Sequence, residues 1–236
     1  MPLSHTDPYE GWEISTSTSG KTIVLNHYIR NHRRMLDFSH FAVLDGGTFK
    51  LKLTWTESPA LNGDSYSISD TAMARNQYKD GTYYAIATEF GSRIWNPIWK
   101  ESERFCPAPP TFVTDNSFIY SCRGLSLVST KGEVLMADGF NKGESLGGKI
   151  AVAQSGRAVA VSLDRTKGID FWDTGKGVRL VATDLLVYDP SIRKRLLTIE
   201  LSPLPKNDYD FALSPDGSKL AVLNDRNVSV YSVPTE

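Results

Sequence analysis

Cysteine, net charge and long apolar segments are all scarce in this chain of 236 residues. Its 26 basic and 27 acidic residues leave a net charge of −1, so no long-range electrostatic field favours nucleic acid or an anionic membrane surface. No stretch approaches the roughly 18 consecutive apolar residues that span a bilayer. The composition therefore predicts a soluble globular protein, with no nucleic acid among its partners and no membrane span.

The N-terminus and the two cysteines bear on the compartment. The first eight residues carry neither a basic nor an apolar region of the kind found in export signals, so we expect a cytoplasmic protein unless a missing N-terminal segment carried such a signal. Cys106 and Cys122 flank a predicted hairpin. In a reducing compartment they are two unrelated thiols, whereas in an oxidising one a disulfide between them would contribute about 3 kcal/mol.

What the sequence does contain is a recurring pattern, in which a short apolar run meets a tight turn and a second apolar run follows. Three copies share one spacing, with six positions from an apolar residue to a glycine and three from that glycine to the next apolar residue. These copies are Ile14/Gly20/Ile23, Ile150/Gly156/Val159 and Phe211/Gly217/Leu220, and two looser copies turn at Gly81 and Asn116. A glycine at such a turn supplies the positive φ that a tight hairpin requires.

Further strand pairs are predicted between these hairpins. They join 40–44 with 48–55, 124–128 with 133–137, and 185–188 with 195–201. Each unit is therefore interpreted as four antiparallel strands. Helical signal is weak, since the polar stretch at 71–78 is only about two turns long and has no apolar stripe.

Units of this size predict a β-propeller. The successive turns lie about 61, 35, 40 and 61 residues apart, near the period of about 40–50 residues of a four-stranded blade. Such blades pack face to face, because one small sheet cannot cover its own apolar faces. We predict an all-β propeller of about five four-stranded antiparallel blade units in a single domain, 1–236. The repeats are degenerate over 1–110 and clear over 111–236. Because the fifth unit supplies only three strands, either the ring closes with a three-stranded blade or the propeller is incomplete or part of a larger one.

The clearest repeat is the segment FALSPDGSKLAV, residues 211–222, which is followed by VSVY at 228–231. It resembles the repeat unit of WD-repeat and TolB-like β-propellers, and 185–189 resembles the third strand of that unit. In this repeat Pro215 fixes a turn φ and Gly217 takes positive φ. The residues expected to face neighbouring blades are Phe211, Leu220 and Val222. The resemblance implies interaction platforms and ligand-binding rings, with a minority of enzymes, and it transfers no functional residue.

Partner-binding candidates lie in the fourth unit. Its second and third strands are predicted to extend into a long hairpin around the turn-rich 173–177. Phe171 and Trp172 lie near the tip, where aromatic side chains are suited to the core of an interface. Together with Arg179 they are our candidate partner contacts. The alternative is that the tip folds back and caps the propeller's own face.

No motif predicts a catalytic residue, a metal ion or a cofactor. Ser19–Thr22 ends like a phosphate-binding loop, but the first glycine and the following helix of that motif are missing, so we interpret it as a hairpin turn. Asp164, Asp170 and Asp173 match no calcium-loop spacing. The basic cluster at 27–34 is interpreted as a solvated loop joining strands of the first unit.

The predicted function is a non-catalytic propeller module that binds or scaffolds a protein or ligand, with an unidentified protein as the expected partner. Two alternatives stay open. One is a propeller-supported enzyme of the quinoprotein-like dehydrogenase or lactonase type, whose ligands would converge on the central channel from several blades. The other is a truncated fragment of a larger exported propeller protein.

Overall fold

The computed structural model describes residues 9–31, 36–57, 66–79, 82–92, 94–101, 110–121, 124–167, 179–204 and 209–235. These residues form nineteen β-strands in five antiparallel sheets. Within the same ranges, no helix has the length and apolar character needed to cross a membrane. The all-β prediction is confirmed.

Four of the sheets have four strands and the last has three. Sheet 1 contains β1 (Tyr9–Thr16), β2 (Thr22–Asn31), β3 (Leu36–Asp45) and β4 (Leu51–Glu57). Sheet 2 contains β5 (Ser67–Ile68), β6 (Ala72–Lys79), β7 (Thr82–Glu89) and β8 (Asn96–Glu101). Sheet 3 contains β9 (Thr111–Thr114), β10 (Ser117–Ser121), β11 (Gly124–Ser129) and β12 (Val134–Gly139). Sheet 4 contains β13 (Glu144–Val152), β14 (Val159–Lys167), β15 (Arg179–Asp189) and β16 (Lys194–Glu200). Sheet 5 contains β17 (Tyr209–Leu213), β18 (Lys219–Asn224) and β19 (Asn227–Ser232).

In every sheet, consecutive strands are neighbours, so each sheet is a simple meander. The three strand pairs predicted between the hairpins are confirmed as β3–β4, β11–β12 and β15–β16. The polar stretch at 71–78 is the strand β6 and its approach, not a helix. The chain divides into two compact units, Met1–Asp115 and Asn116–Glu236, and the division falls in the turn between β9 and β10.

The three evenly spaced repeats have the same register. Ile14 lies opposite Leu25, Ile150 opposite Val161, and Phe211 opposite Val222. The glycines of their turns, Gly20, Gly156 and Gly217, have φ values of 73°, 70° and 76°. A shared spacing in the sequence has thus produced the same hairpin three times, and the turn predictions at these positions are confirmed. The predicted turn at Gly81 lies outside the described residues.

Short polar side chains brace these turns. In the turn of sheet 5, the carboxylate of Asp216 accepts hydrogen bonds from Ser214 Oγ at 2.6 Å and from the Ser218 amide at 3.1 Å. These bonds, that of Ser214 first, lower the pKa of Asp216 to about 2. The β3–β4 turn is built in the same way, since the Thr48 amide and then Lys52 lower the pKa of Asp45 to about 2.

Sheets 4 and 5 share an apolar core in the second unit. Their buried residues form one cluster: Ala153, Ala158, Ala160, Leu185, Val187, Leu201, Phe211, Leu220, Val222 and Val233. The prediction that Phe211, Leu220 and Val222 face a neighbouring sheet is therefore confirmed. In the first unit, a buried cluster joins Val24, Phe41 and Val43 of sheet 1 with Ile68 and Met73, which lie in β5 and β6 of sheet 2.

One interpretation of the N-terminal half is wrong. The basic cluster was expected to form a solvated loop, but its first part, His27 to Arg30, lies inside β2. The reason is the alternation of burial along this strand, because Val24 and Asn26 are buried on one face while Leu25 and His27 lie on the other. The rest of the cluster, from residue 32 to residue 34, lies outside the described residues.

The turn of sheet 1 predicts a sharp difference between two adjacent glycines. A Cβ atom on Gly46 would lie 1.9 Å from the backbone oxygen of Gly20, whereas one on Gly47 would meet only Asp45 Oδ1 at 3.6 Å. We expect Gly46→Ala to destabilise the protein by about 2 to 3 kcal/mol, because the β1–β2 turn must move away. Gly47→Ala is the matched control and should change stability by less than about 0.5 kcal/mol. Urea unfolding followed by circular dichroism measures both, and equal stabilities would contradict the packing of these two turns.

Candidate functional site

One face of sheet 1 carries large apolar side chains that remain in solvent. We call it the Trp12 face, and it comprises Trp12, Ile14, Ile23, Leu25, His27, His40, Ala42, Thr54 and Thr56. The opposite face of the sheet holds Val24, Phe41 and Val43 and packs against sheet 2. Trp12 and Ile14 are 66% and 72% exposed. Two neighbouring apolar side chains of this size on one sheet face indicate a contact surface.

A row of rings crosses the Trp12 face. Trp12 lies directly opposite His27, and His27 lies opposite His40. The indole and the His27 ring are stacked, with centroids 4.3 Å apart and planes inclined by 14°. The His40 ring continues the row at 6.0 Å from His27. Cross-strand neighbours in direct opposition are the closest pairs on a sheet surface, so the register itself creates the row.

Hydrogen bonds fix both histidines of the row. His27 Nε2 lies 2.5 Å from Glu10 Oε1, and His40 Nδ1 lies 2.9 Å from Thr56 Oγ1. Glu10 belongs to the same strand as Trp12, two residues before it, so that its side chain lies on the same face. These bonds fix the orientation of the two imidazole rings. The His27 ring in turn stacks against the Trp12 indole and orients it.

A cleft of about 290 Å³ opens on this surface. It is lined by Trp12, Leu25, His27, His40, Phe41, Ala42, Thr54, Trp55 and Thr56. The rings of Phe41 and Trp55 lie on the opposite, core face of the sheet, where they stack at 4.8 Å. The lining is thus mainly aromatic and apolar, with threonine hydroxyls and imidazole nitrogens at its edge. This composition suits the binding of an apolar or aromatic group with a few polar contacts.

The polar groups in the described part of the chain do not converge on a metal site. No group of three or more histidine, cysteine, aspartate or glutamate side chains within those ranges is arranged to hold an ion. Asp164, one of the three aspartates considered above as calcium ligands, accepts a hydrogen bond from Thr183 Oγ1 at 2.7 Å. Asp170 and Asp173 lie outside the described residues.

The predicted phosphate-loop look-alike is a hairpin turn, as expected. Gly20 takes positive φ between β1 and β2. Ser19 donates a hydrogen bond to the carboxylate of Asp70, with Oγ 2.6 and 2.8 Å from the two carboxylate oxygens. The amide of Asp70 in turn donates to Asp115 Oδ1 at 2.7 Å. The polar residues of this turn therefore link neighbouring turns of the first unit.

The partner candidates of the fourth unit are placed only in part. Phe171 and Trp172 lie outside the described residues, and no structural statement applies to them. Arg179 begins β15, is exposed, and lies opposite Lys167. The β14–β15 pairing continues to Lys167, two residues beyond the last β13 partner, Arg165, and the predicted hairpin around 173–177 lies outside the described residues. The role of these three residues in partner binding stays a prediction.

A charged cluster in the second unit fixes one sheet against the next. The carboxylate of Asp138 on β12 accepts hydrogen bonds from Tyr188 Oη, at 2.6 Å, and from Arg195. Burial acts to raise the pKa of Asp138, but the bonds from Arg195 and Tyr188 outweigh it and hold that pKa below its usual range. Burial and the bond to Asp138 raise the pKa of the Tyr188 hydroxyl. The cluster joins sheet 3 to sheet 4 and has a structural role.

Sequence reasoning missed Trp12, His27 and His40 as a group. The two histidines are thirteen positions apart along the chain and come together only through the β2–β3 register. One signal was present, because Ile14 takes the place of Phe211 in the shared spacing and Trp12 precedes it by two positions. That alternation places both residues on one face, but it does not reveal that the face is uncovered.

Tyr66 lies beneath the site and provides a test of its packing. Its ring packs edge-on against Phe41 at 5.9 Å, and burial, followed by the charge of Glu13, raises its pKa to about 12. A raised pKa means that the stability present below pH 10 is lost as the pH rises towards 12. Relative to Tyr66→Phe, which has no titrating hydroxyl, the wild-type protein should lose about 2 kcal/mol between pH 9 and about pH 11.5. Urea unfolding of both proteins at the two pH values measures the change, and parallel losses would show that Tyr66 is not buried as described.

No protein-family model matches the chain, and no curated protein matches it in sequence. Solved structures do match. Hsv2 of Kluyveromyces marxianus is 12% identical with a TM-score of 0.54, covering 97% of this chain and 74% of its own. Hsv2p of Kluyveromyces lactis is 14% identical with a TM-score of 0.52, covering 95% of this chain and 75% of its own. The acylaminoacyl peptidase of Pyrococcus horikoshii is 11% identical with a TM-score of 0.51, covering 99% of this chain but only 37% of its own. Hsv2 is a β-propeller protein. The chain therefore has a β-propeller fold, built from four four-stranded blades and one three-stranded blade within the described residues.

Proposed function

We propose that this propeller is a non-catalytic binding module and that the Trp12 face is its binding surface. The observation that carries the proposal is the exposure of Trp12 and Ile14, at 66% and 72%, beside a cleft of about 290 Å³. Burying such side chains is worth about 1.5 to 3 kcal/mol each. A partner that covers this face would bury both side chains, and their burial would stabilise the complex by that amount.

The organisation of the face favours binding over catalysis. The largest exposed groups of the face are the indole of Trp12 and the side chain of Ile14, which offer apolar surface and no titrating group. Nε2 of His27 contacts Glu10 and Nδ1 of His40 contacts Thr56, and these contacts hold the two rings in place beside the indole. The stacked indole between solvent and His27 is instead a rigid aromatic anchor, the type of residue that contributes most to protein interfaces.

We also propose that the repeats are of the WD-repeat or TolB-like kind. The support comes from the turn of sheet 5, where Gly217 has the required positive φ of 76°. Within the Ser-Pro-Asp-Gly-Ser segment, the carboxylate of Asp216 accepts hydrogen bonds from the hydroxyls of Ser214 and Ser218, and these bonds stabilise the turn. Repeats of this kind are consistent with an interaction platform, and the partner is then expected to be a protein.

Selection of binding peptides tests the surface without knowledge of the natural partner. The purified chain, immobilised sparsely so that copies do not meet, is panned against displayed random peptides. We expect aromatic or aliphatic peptides that bind with Kd in the micromolar range and lose at least about tenfold in affinity on Ile14→Asp, since one buried aliphatic contact is worth more than about 1.4 kcal/mol.

The matched control is Val134→Asp, which changes an exposed apolar residue on β12, outside the Trp12 face. It should leave the affinity of the selected peptides unchanged. Peptides that bind wild-type protein and Ile14→Asp equally well would place the binding surface elsewhere. A failure to select any peptide would count against the binding function of this face.

A further inference from the structure

The contact between sheets 4 and 5 shows how one blade of this chain covers the next. From sheet 4 it uses Ala160 and Val187, which lie opposite each other, and Leu185. From sheet 5 it uses Phe211 and Val222, which also lie opposite each other. All five side chains are buried. The contact therefore has two distinct halves, one from the face of sheet 4 and one from the inner face of sheet 5.

The outer face of sheet 5 repeats the half that sheet 4 contributes. We call it the Val230 face, and it consists of Ala212, Ala221, Leu223, Val228 and Val230. Ala221 lies opposite Val230 as Ala160 lies opposite Val187, and Leu223 lies opposite Val228 as Ser162 lies opposite Leu185. The match extends through the register of both sheets and is not limited to composition.

The two equivalent faces differ in their exposure. Leu185 and Val187 are buried under sheet 5, whereas Val228 and Val230 are 69% and 63% exposed. Across the described ranges of the chain, the Val230 face is thus an apolar sheet face of the type that binds another blade, and it remains in solvent.

The Trp12 face repeats the other half, the one that sheet 5 contributes. Ile14 opposite Leu25 occupies the place of Phe211 opposite Val222. One step further along the ladder, Trp12 opposite His27 occupies the place of Tyr209 opposite Asn224. In sheet 5 Phe211 and Val222 are buried against sheet 4, whereas in sheet 1 Trp12 and Ile14 are 66% and 72% exposed and Leu25 and His27 are partly buried.

We propose that the Trp12 face binds the Val230 face of a second copy of this chain, blade against blade, as sheet 5 binds sheet 4. The inference rests on the proposed function and names its partner. One chain displays both unlike halves of a contact that it already uses internally, so a second copy supplies the complementary half in the correct register. Because the halves differ, the contact is heterologous, and each copy offers one half of it to one neighbour and the other half to another.

Sedimentation velocity on the full chain, over about 1 to 100 µM, tests the proposal. We expect reversible self-association that increases with concentration, with the dimer as the first species above the monomer. Ile14→Asp or Val230→Asp alone should weaken the association at least tenfold, because each removes one half from every copy. Ile192→Asp is the matched control, since it changes an exposed apolar residue in the β15–β16 turn, outside both faces, and should leave the dimer intact.

Mixing the two variants separates this proposal from other modes of association. The Ile14→Asp variant has an unaltered Val230 face, and the Val230→Asp variant has an unaltered Trp12 face. An equimolar mixture should therefore regain a heterodimer joined by one contact, whereas each variant alone stays monomeric. A mixture that stays monomeric while the wild-type protein dimerises would overturn the head-to-tail contact. Circular dichroism melts confirm that each variant is folded, and Ile14→Ser and Val230→Ser replace any variant that is not.

The outcome is distinguishable from that of the peptide selection. A wild-type chain that is monomeric at about 100 µM but whose Trp12 face binds selected peptides would overturn the second copy as partner and leave the binding function standing. A monomeric chain with no selected peptides would overturn both. A dimer that dissociates when a selected peptide is added would support both, since the peptide and the second copy would compete for one surface.

Discussion

The contact between the faces of neighbouring sheets is the interaction on which this fold depends. A sheet of three or four short strands has two faces, and in sheets 1 and 5 both faces carry apolar side chains. Sheet 5 shows the consequence, because Phe211 and Val222 are buried against sheet 4 while Val228 and Val230, on its other face, are exposed. Burial of side chains of this size is worth about 1.5 to 3 kcal/mol each, so a single sheet alone would be unstable. Sheets 4 and 5 are stabilised because each covers an apolar face of the other.

Tight turns make these contacts repeatable. A one-residue change of register would move every side chain of a strand to the other face, and an apolar face would then meet water. The glycines at 20, 156 and 217 take positive φ in equivalent turns, and the opposing pairs Ile14–Leu25 and Phe211–Val222 follow from them. The carboxylate of Asp216 strengthens one such turn through the hydroxyls of its neighbours. Turn chemistry therefore decides which residues are available for packing.

The same reasoning shows what could be predicted from the sequence. The hairpins were predictable because their cause is local, as in the six-and-three spacing around Gly217. The number of blades followed from the repetition of this unit, and so did the burial of Leu220 between sheets. The basic cluster beginning at His27 was misread as a loop, since its charges concealed the alternation of β2. The row from Trp12 through His27 to His40 could not be predicted, because it depends on the pairing of three strands and on a face left uncovered, and neither is a local property. Phe171 and Trp172 were chosen for being aromatic near a turn, and that choice stays untested.

The polar groups of the Trp12 face affect the free energy that a partner would gain by covering it. Its counterpart in sheet 5 has Asn224 where this face has His27, and His27 brings with it the exposed carboxylate of Glu10. A partner that covers the indole must remove water from part of this pair, and that desolvation offsets some of the free energy gained by burying Trp12 and Ile14. The Val230 face consists of alanine, leucine and valine and has no comparable polar pair, so the cost falls on one side of the contact only. A blade-to-blade contact through the Trp12 face should consequently be weaker than the permanent one between sheets 4 and 5. The internal contact buries Phe211 and Val222 without such a cost, and the contact that we propose for the Trp12 face would be the more readily broken of the two.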